Sequence, residues 1–317
     1  MFDDPARPWG IYLIAAALFF NGLATGEEAR PRLAFVECDQ GGYPFDTGVL
    51  RGTLCPKGKP QGLSSVTHIP TGARLDRGAG VFSFYRVFTT NKRYGTAAWD
   101  WSGSSSNLLP DGAVRVTWSE TPDRPFALTA LYRWKDPQTL DLETTVKAVA
   151  DLGKFEVFVA SYFDEAFPSP FAYVAENPES QGKPGFLAAR KSGGDWQMFP
   201  RESQVVFIIR DGRWKIEPNP VDWAIRPHLA APVALRRDAT HGLIAIVMSP
   251  PADCFAIAMP YDGESHYSLY PSLLGRDIRA GETATAHIRL IITKAISDEE
   301  IVALYKRYLG DRSGPVR

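Results

Sequence analysis

Apolar and polar residues alternate with a period of two along much of the chain, the pattern of strands buried on one face. Between residues 140 and 148, Leu140, Leu142, Thr144 and Val146 oppose Asp141, Glu143, Thr145 and Lys147. Residues 154–163 set Phe155, Val157, Val159, Ser161 and Phe163 against Glu156, Phe158, Ala160 and Tyr162, and Asp164 continues the second set. An unpaired buried carboxylate costs several kcal/mol or neutralises itself, so the side carrying Glu156, Tyr162 and Asp164 is expected to border solvent or a cleft. Residues 81–89, VFSFYRVFT, predict a strand with Arg86 on the face of Phe82, Phe84 and Phe88. Such an arginine either snorkels out of the apolar face or reaches a buried polar partner or ligand.

Turn signals at Asp111-Gly112, Asp136-Pro137, Asp211-Gly212 and Asp262-Gly263 separate further strands at 114–118, 126–134, 205–209, 214–216, 243–248 and 254–259, with a last long strand before residue 294. Residues 168–195 read as a polar Gly/Pro-rich loop, and His68 in THIPTG as an exposed loop residue. Only the C-terminus reads as helix. Ser297 and Glu300 form a capping box, Asp298, Glu299 and Glu300 fill the first turn, and Ile301, Leu304, Tyr305 and Leu309 follow at helical spacing up to Gly310. The expected fold is all-β, a large antiparallel β-sandwich with a C-terminal helix. Residues 27–80 form an irregular lead-in with edge strands and 81–317 the main sandwich, with 27–317 taken as one domain.

The first 26 residues read as a signal peptide, with Arg7 ahead of an apolar run from Ile11 to Phe20 and small residues Ala24 and Gly26 after it, although Asp3 and Asp4 offset the arginine. A secreted or periplasmic protein with no stable membrane span after cleavage is the expectation. A net charge of −1 and a pI near 6.5 offer no basic face, so nucleic acid is excluded as a partner. Cys38 and Cys55 either bridge a short loop or are buried thiols, and Cys254 sits in an apolar strand. Five scattered histidines, no Cys-x-x-Cys, no phosphate-cradling glycine loop and no Gly-x-Ser-x-Gly elbow give no support for a metal or cofactor.

Eight tryptophans make aromatic stacking on sugar faces a candidate chemistry, beside the ordinary role of core filler. Trp99 and Trp101, spaced by one, are expected on the same face of a strand. The block ALYRWKDPQTLDLETTVKAVADLGKFEVFVASYF, followed by GRDIRAGETATAHIRLIIT, resembles the galactose mutarotase (aldose 1-epimerase)-like superfamily. There a strand of type Y-x-L-x-x-x-L-x-L-x-x-x-V-x-N leads to one ending His-Pro-Tyr-Phe, and the chain closes with a turn, Pro-Gly-Glu and a final strand. Here ASYF, residues 160–163, stands at the tetrapeptide and RAGET, residues 279–283, at the closing turn. The resemblance implies a supersandwich that binds carbohydrate, with a histidine as general acid to the ring oxygen and a later glutamate as general base on the anomeric hydroxyl. Ala160 occupies the histidine position, and Ala256 and Ile257 fall near the glutamate's.

The expected function is therefore an exported carbohydrate-binding protein, with epimerase-like acid–base chemistry on a sugar ring if it is an enzyme. Tyr162, Asp164, Glu264 and His266 are its candidate catalytic groups, and Arg86, Arg93, Trp99 and Asp222, the last placed by the resemblance, its candidate sugar contacts. Two alternatives stand beside it: a non-catalytic sugar-binding or scaffold protein, and a polysaccharide lyase in which His266 and Tyr267 converge with Arg86.

Overall fold

In the computed structural model, residues 33–39 and 41–313 are described. The expected signal segment lies outside them. Two large sheets face each other across one apolar core. One has nine strands, in the order Gly185–Ala188, Ser169–Val174, Leu229–Asp238, Leu243–Met248, Thr283–Lys294, Thr139–Ala148, Phe126–Asp136, Val114–Trp118 and Ser104–Leu108. The other has seven: Ala224–Ile225, Trp196–Pro200, Cys254–Pro260, Ser268–Ile278, Leu152–Tyr162, Ser83–Thr89 and Lys92–Arg93. Pairing is antiparallel except between Trp196–Pro200 and Ala224–Ile225. The all-β sandwich with a C-terminal helix read from the sequence is the observed fold.

The alternation explains the layering. Leu140, Leu142, Val146, Leu128, Ala130 and Tyr132 of the nine-stranded sheet meet Phe84, Val87, Phe155, Val157, Val159 and Leu273 of the seven-stranded one in the main core. The run Leu243–Met248 is apolar throughout because both its faces are covered. Leu243, Ala245 and Val247 enter the sandwich core, while Ile244, Ile246 and Met248 pack under Ile301, Tyr305 and Tyr308 of the helix Asp298–Ser313. The capping box forms as expected: the Ser297 amide donates to Glu300 Oε2 at 2.8 Å and the Glu300 amide to Ser297 Oγ at 3.2 Å. Gly310 does not end this helix, which runs on to Ser313; a glycine weakens a helix interior without forbidding it.

Other local expectations are corrected. Residues 43–74 form a four-stranded antiparallel sheet, Tyr43–Asp46, Leu50–Cys55, Gly62–His68 and Ala73–Arg74, instead of an irregular lead-in. His68 closes its third strand, buried, with Nδ1 2.8 Å from Thr71 Oγ1. The loop 168–195 contains the outermost strands of the nine-stranded sheet. Residues 203–216 are short helical turns rather than strands; brief apolar runs do not distinguish the two by periodicity. Cys38, Cys55 and Cys254 are free thiols.

In the middle of the nine-stranded sheet a histidine ties two strands to a turn. His287 pairs across the sheet with Glu143, its amide and Nδ1 donate to Asp253 Oδ2 at 2.9 and 2.7 Å, and its Nε2 lies 3.4 Å from Glu143 Oε2. Burial pulls the imidazole pKa down, but the bonds to Asp253 and Glu143 outweigh it and leave the folded value above the usual one. A raised histidine pKa contributes stability that is complete below the unfolded value, about 6.5, and is lost as pH rises through the folded value. Urea unfolding of the native protein and His287→Asn should therefore show a stability gap that narrows as the pH rises above about 6.5; a gap independent of pH would dispose of the charged-imidazole account.

Candidate functional site

The strand Leu152–Tyr162 lies mid-sheet and is buried on both faces over most of its length. Phe155, Val157 and Val159 enter the sandwich core; Phe158, Ala160 and Tyr162 enter a second apolar cluster on the opposite face. Glu156 belongs to that second face but does not border solvent. It is fully buried, with Oε2 2.9 Å from Arg213 Nη1 and Oε1 accepting from Ser272 Oγ at 2.9 Å. Burial pushes the Glu156 carboxyl up, while Glu156 and Asp211 hold Arg213 above its usual value. Given two donors within hydrogen-bond reach of the carboxylate and two carboxylates on the arginine, the ion pair is the state this geometry is built for.

Arg213 ties the excursion 203–223 to the sheet, and the excursion walls a cleft of about 740 Å³ against the second face, a volume within the range of small-molecule sites. Its aromatic lining closes into a circuit. Phe158 touches Trp214 (ring centres 4.7 Å apart), Trp214 touches Trp223 (5.1 Å), and Trp223 touches Trp196 (6.1 Å). Trp196 meets His266 (5.4 Å), His266 meets Tyr162 (6.2 Å), Tyr162 meets Tyr270 (5.8 Å), and Tyr270 stacks on Phe158 (4.8 Å). Trp99 extends the wall, stacked on Tyr85 at 5.3 Å with an interplanar angle of 5°.

A β-bulge delivers Tyr85 and Arg86 together. Phe158 pairs with Arg86 and Val159 with Phe84, so Tyr85 is the extra residue, and two successive side chains turn to the cleft. The face predicted for Arg86 is thereby corrected: Phe82 and Phe84 enter the sandwich core, while Arg86 and Phe88 lie on the cleft side. Arg86 Nη2 donates to the Tyr85 hydroxyl at 3.1 Å and to the Asn219 carbonyl at 2.8 Å, while Nε and Nη1 meet no acceptor. Trp99 and Trp101 do not share a face. A 3-10 turn at Ala98–Asp100 breaks the period of two, sending Trp99 to the cleft and Trp101 against Trp118 and Phe126.

Of the residues predicted from sequence, Arg86, Trp99, Tyr162 and His266 line the cleft together. Glu264 stands directly behind, with Oε1 2.7 Å from His266 Nδ1 and Oε2 accepting from the His266 amide at 2.8 Å. Arg93 is buried beneath the wall, where it donates to the carbonyls of Ile216, Pro218 and Thr96; burial first, then the Arg86 charge, lower its pKa to about 10. Asp164 is not brought to the cleft: its Oδ1 accepts from the Ala166 amide in a turn. Asp222 is 89 % exposed and paired with Lys215, although its neighbours Val221 and Trp223 line the wall. Tyr267 packs against the sandwich core instead of joining His266 and Arg86.

Tyr162 is held neutral: burial, then proximity to Tyr270, to which it is hydrogen-bonded, raises its pKa well above the usual value. It is therefore a hydrogen-bonding group rather than a base near neutrality. His266 differs in that its side chain is half exposed, and its Nδ1 faces the Glu264 carboxylate, so that in the neutral ring Nδ1 carries the hydrogen and Nε2 is the acceptor. The residues that sequence reading missed, Trp196, Trp214, Trp223, Tyr270, Lys59 and Arg77 among them, come from segments up to about two hundred positions apart. No cluster of metal-ligating side chains occurs among the described residues, and no helix among them is long and apolar enough to cross a membrane.

No family model and no curated protein matches the chain. Among solved structures it is similar to the Slr1438 protein of Synechocystis sp. PCC 6803 (13% identity, 84% of this chain and 97% of that one, TM-score 0.50). It is also similar to a candidate aldose 1-epimerase of Escherichia coli K12 (12% identity, 80% and 99%, TM-score 0.44) and to heparan sulfate lyase HepC of Pedobacter heparinus (10% identity, 84% and 37%, TM-score 0.48). This chain thus spans little more than a third of the lyase. At such identities the likeness is one of fold and does not extend to chemistry.

The Glu156–Arg213 pair should govern the stability of the cleft. Arg213→Met leaves two carboxylates, one fully buried, without their cation and should cost roughly 3–5 kcal/mol of unfolding free energy in urea. Adding Glu156→Gln to it should restore part of the loss. Near-native stability of the single variant would show that the pair does not hold the excursion.

Proposed function

We propose that this chain binds carbohydrate in the aromatic cleft and acts on it by acid–base chemistry of the epimerase type, as a divergent relative of the galactose mutarotase-like proteins. The observation that carries the reading is a half-exposed imidazole, His266, held through Nδ1 by Glu264 in the wall of a cleft with four tryptophans. Indole and phenol faces stack on the apolar faces of sugar rings. An imidazole of fixed tautomer is suited to take a proton from a hydroxyl through Nε2 and return it. In the proposed step His266 removes the anomeric hydroxyl proton as the ring C–O bond breaks, and neutral Tyr162 gives its phenolic proton to the departing ring oxygen, so that the open form is an aldehyde with a free hydroxyl. After rotation of the carbonyl the hydroxyl adds to its other face, its proton returns to Tyr162, and His266 gives its proton to the new anomeric oxygen. Export, read from residues 1–26 alone, remains part of the proposal.

A second reading, a binder without turnover, is favoured by one observation. Ala160, at the place where the resemblance implies an imidazole, is fully buried, so that group of the relay is missing from the strand. The lyase reading loses Tyr267, which points elsewhere.

NMR exchange spectroscopy of the anomers of reducing sugars tests the two. On any sugar that turns over, His266→Ala should lower kcat by about 10²–10⁴, whereas Trp99→Ala should act mainly through KM. Unchanged kcat in His266→Ala would remove it as acid or base, and binding without exchange in the native protein would establish the second reading.

A further inference from the structure

Some buried arginines of this protein are matched by carboxylates and some are not: Arg236, fully buried, bonds only to the carbonyls of Phe167, Pro168 and Ser268. Arg213 holds two carboxylates, and Arg289 holds Asp141 through two bonds of 2.7 and 2.8 Å. The arginines at the cleft belong to the unmatched group, and one of them, Arg86, borders a cavity. Arg86 and Arg93, both nine-tenths or more buried, bond only to neutral acceptors: a phenol and the carbonyls of Asn219, Ile216, Pro218 and Thr96. Neither forms an ion pair among the described residues, and Arg86 Nε, Arg86 Nη1 and Arg93 Nε find no acceptor in the protein. A cation buried without a carboxylate is costly, and at Arg86, which lines the cleft, an anionic ligand can supply the compensating charge. At the rim, the Lys59 ammonium lies over the Trp99 ring at 5.9 Å with no carboxylate partner among the described residues. Arg77 lies over the Tyr267 ring at 5.6 Å, and its one ion pair among the described residues is a loose, solvent-exposed contact with Glu165 at 3.8 Å. Against Lys59, Arg77 and Arg86 the lining offers one carboxylate, Asp100.

We infer that the ligand of this cleft is an anionic sugar, its carboxylate or phosphate facing the side of the cleft that carries Arg86, Lys59 and Arg77. The inference rests on the carbohydrate reading above and narrows it. The Arg86 guanidinium carbon lies 4.7 Å from the Tyr85 ring centre, and Tyr85 stacks on Trp99. A sugar ring laid against that aromatic wall thus brings an acidic substituent within a few ångströms of the uncompensated charge. Low-dielectric aromatic walls concentrate the field of the two buried arginines in the cleft, and the exposed rim cations supply mobile contacts.

Titrations followed by quenching of the cleft tryptophans and by calorimetry test this. They use the full chain with digalacturonate against neutral galactobiose, and galactose 6-phosphate against galactose. The acidic member of at least one pair should bind about tenfold or more tighter at low salt, and the advantage should shrink as salt is raised; which pair shows it identifies carboxylate or phosphate. Because loss of Arg86 could impair folding, the diagnostic variant is the exposed pair Lys59→Gln/Arg77→Gln. It should weaken the acidic ligand about three- to twentyfold more than the neutral one, since exposed charge pairs contribute up to about 1 kcal/mol each. Equal affinity for neutral and acidic members overturns this inference and leaves the carbohydrate reading standing. Absence of binding by all four, and by a wider glycan panel, overturns both.

Discussion

A carboxylate in the middle of a sheet has to be neutralised or paired, and Glu156 is paired with an arginine that lies fifty-seven residues further on. That constraint organises the cleft side of the molecule. Arg213 reaches Glu156 and the Lys154 carbonyl from a 3-10 turn, so the turns around it cannot drift from the sheet. The next residue, Trp214, is thereby set against Phe158 and Phe88, and Trp223 against Trp214. Arg86 and Arg93 then grip the carbonyls of residues 216–219 from the neighbouring strands. Three arginines thus hold a segment with little regular structure of its own, and one face of the seven-stranded sheet becomes a walled cleft.

How much of this could be read from the chain depends on the range of the interaction. Strands at 126–136 and 139–148 were legible because one-sided burial imposes alternation over ten or more residues. The capping box was legible because both of its partners lie within one turn. The bulge at Tyr85 was not, since SFYRVFT alternates no differently with or without an extra residue; only the partner strand reveals that Val159 pairs with Phe84. Glu156 was misread for a related reason. Its polarity pointed to solvent, and the cation that permits its burial belongs to a segment that carries no periodic pattern.

The site shows the same division. Tyr162 and Arg86 were found because each interrupts an apolar strand face, whereas Asp164, read from its place beyond the strand, and Asp222, placed by the resemblance, prove to cap a turn and to pair with an exposed lysine. Trp196, Trp214, Trp223 and Tyr270 carry no local mark that separates a cleft aromatic from a core one. Their common orientation arises only when the excursion folds back on the sheet. Lys59 and Arg77 were invisible for the converse reason: an exposed cation is ordinary, and it becomes informative only beside two buried arginines that lack carboxylates.

The position of the imidazole follows from the same packing. Ala160 lies fully buried in the cluster that contains Phe158, Tyr162 and Tyr270, and a side chain as large as histidine there would displace the rings that form the floor. In this chain the imidazole of the cleft comes instead from residues 261–267, a loop joining two strands of the same sheet, where Glu264 two positions earlier can orient it. A loop residue can face the cleft without any change in strand register or in the volume of the core. Aromatic floor and titratable wall are thus supplied by different elements, the floor fixed by packing and the wall by a local hydrogen bond, so either can change with little effect on the other.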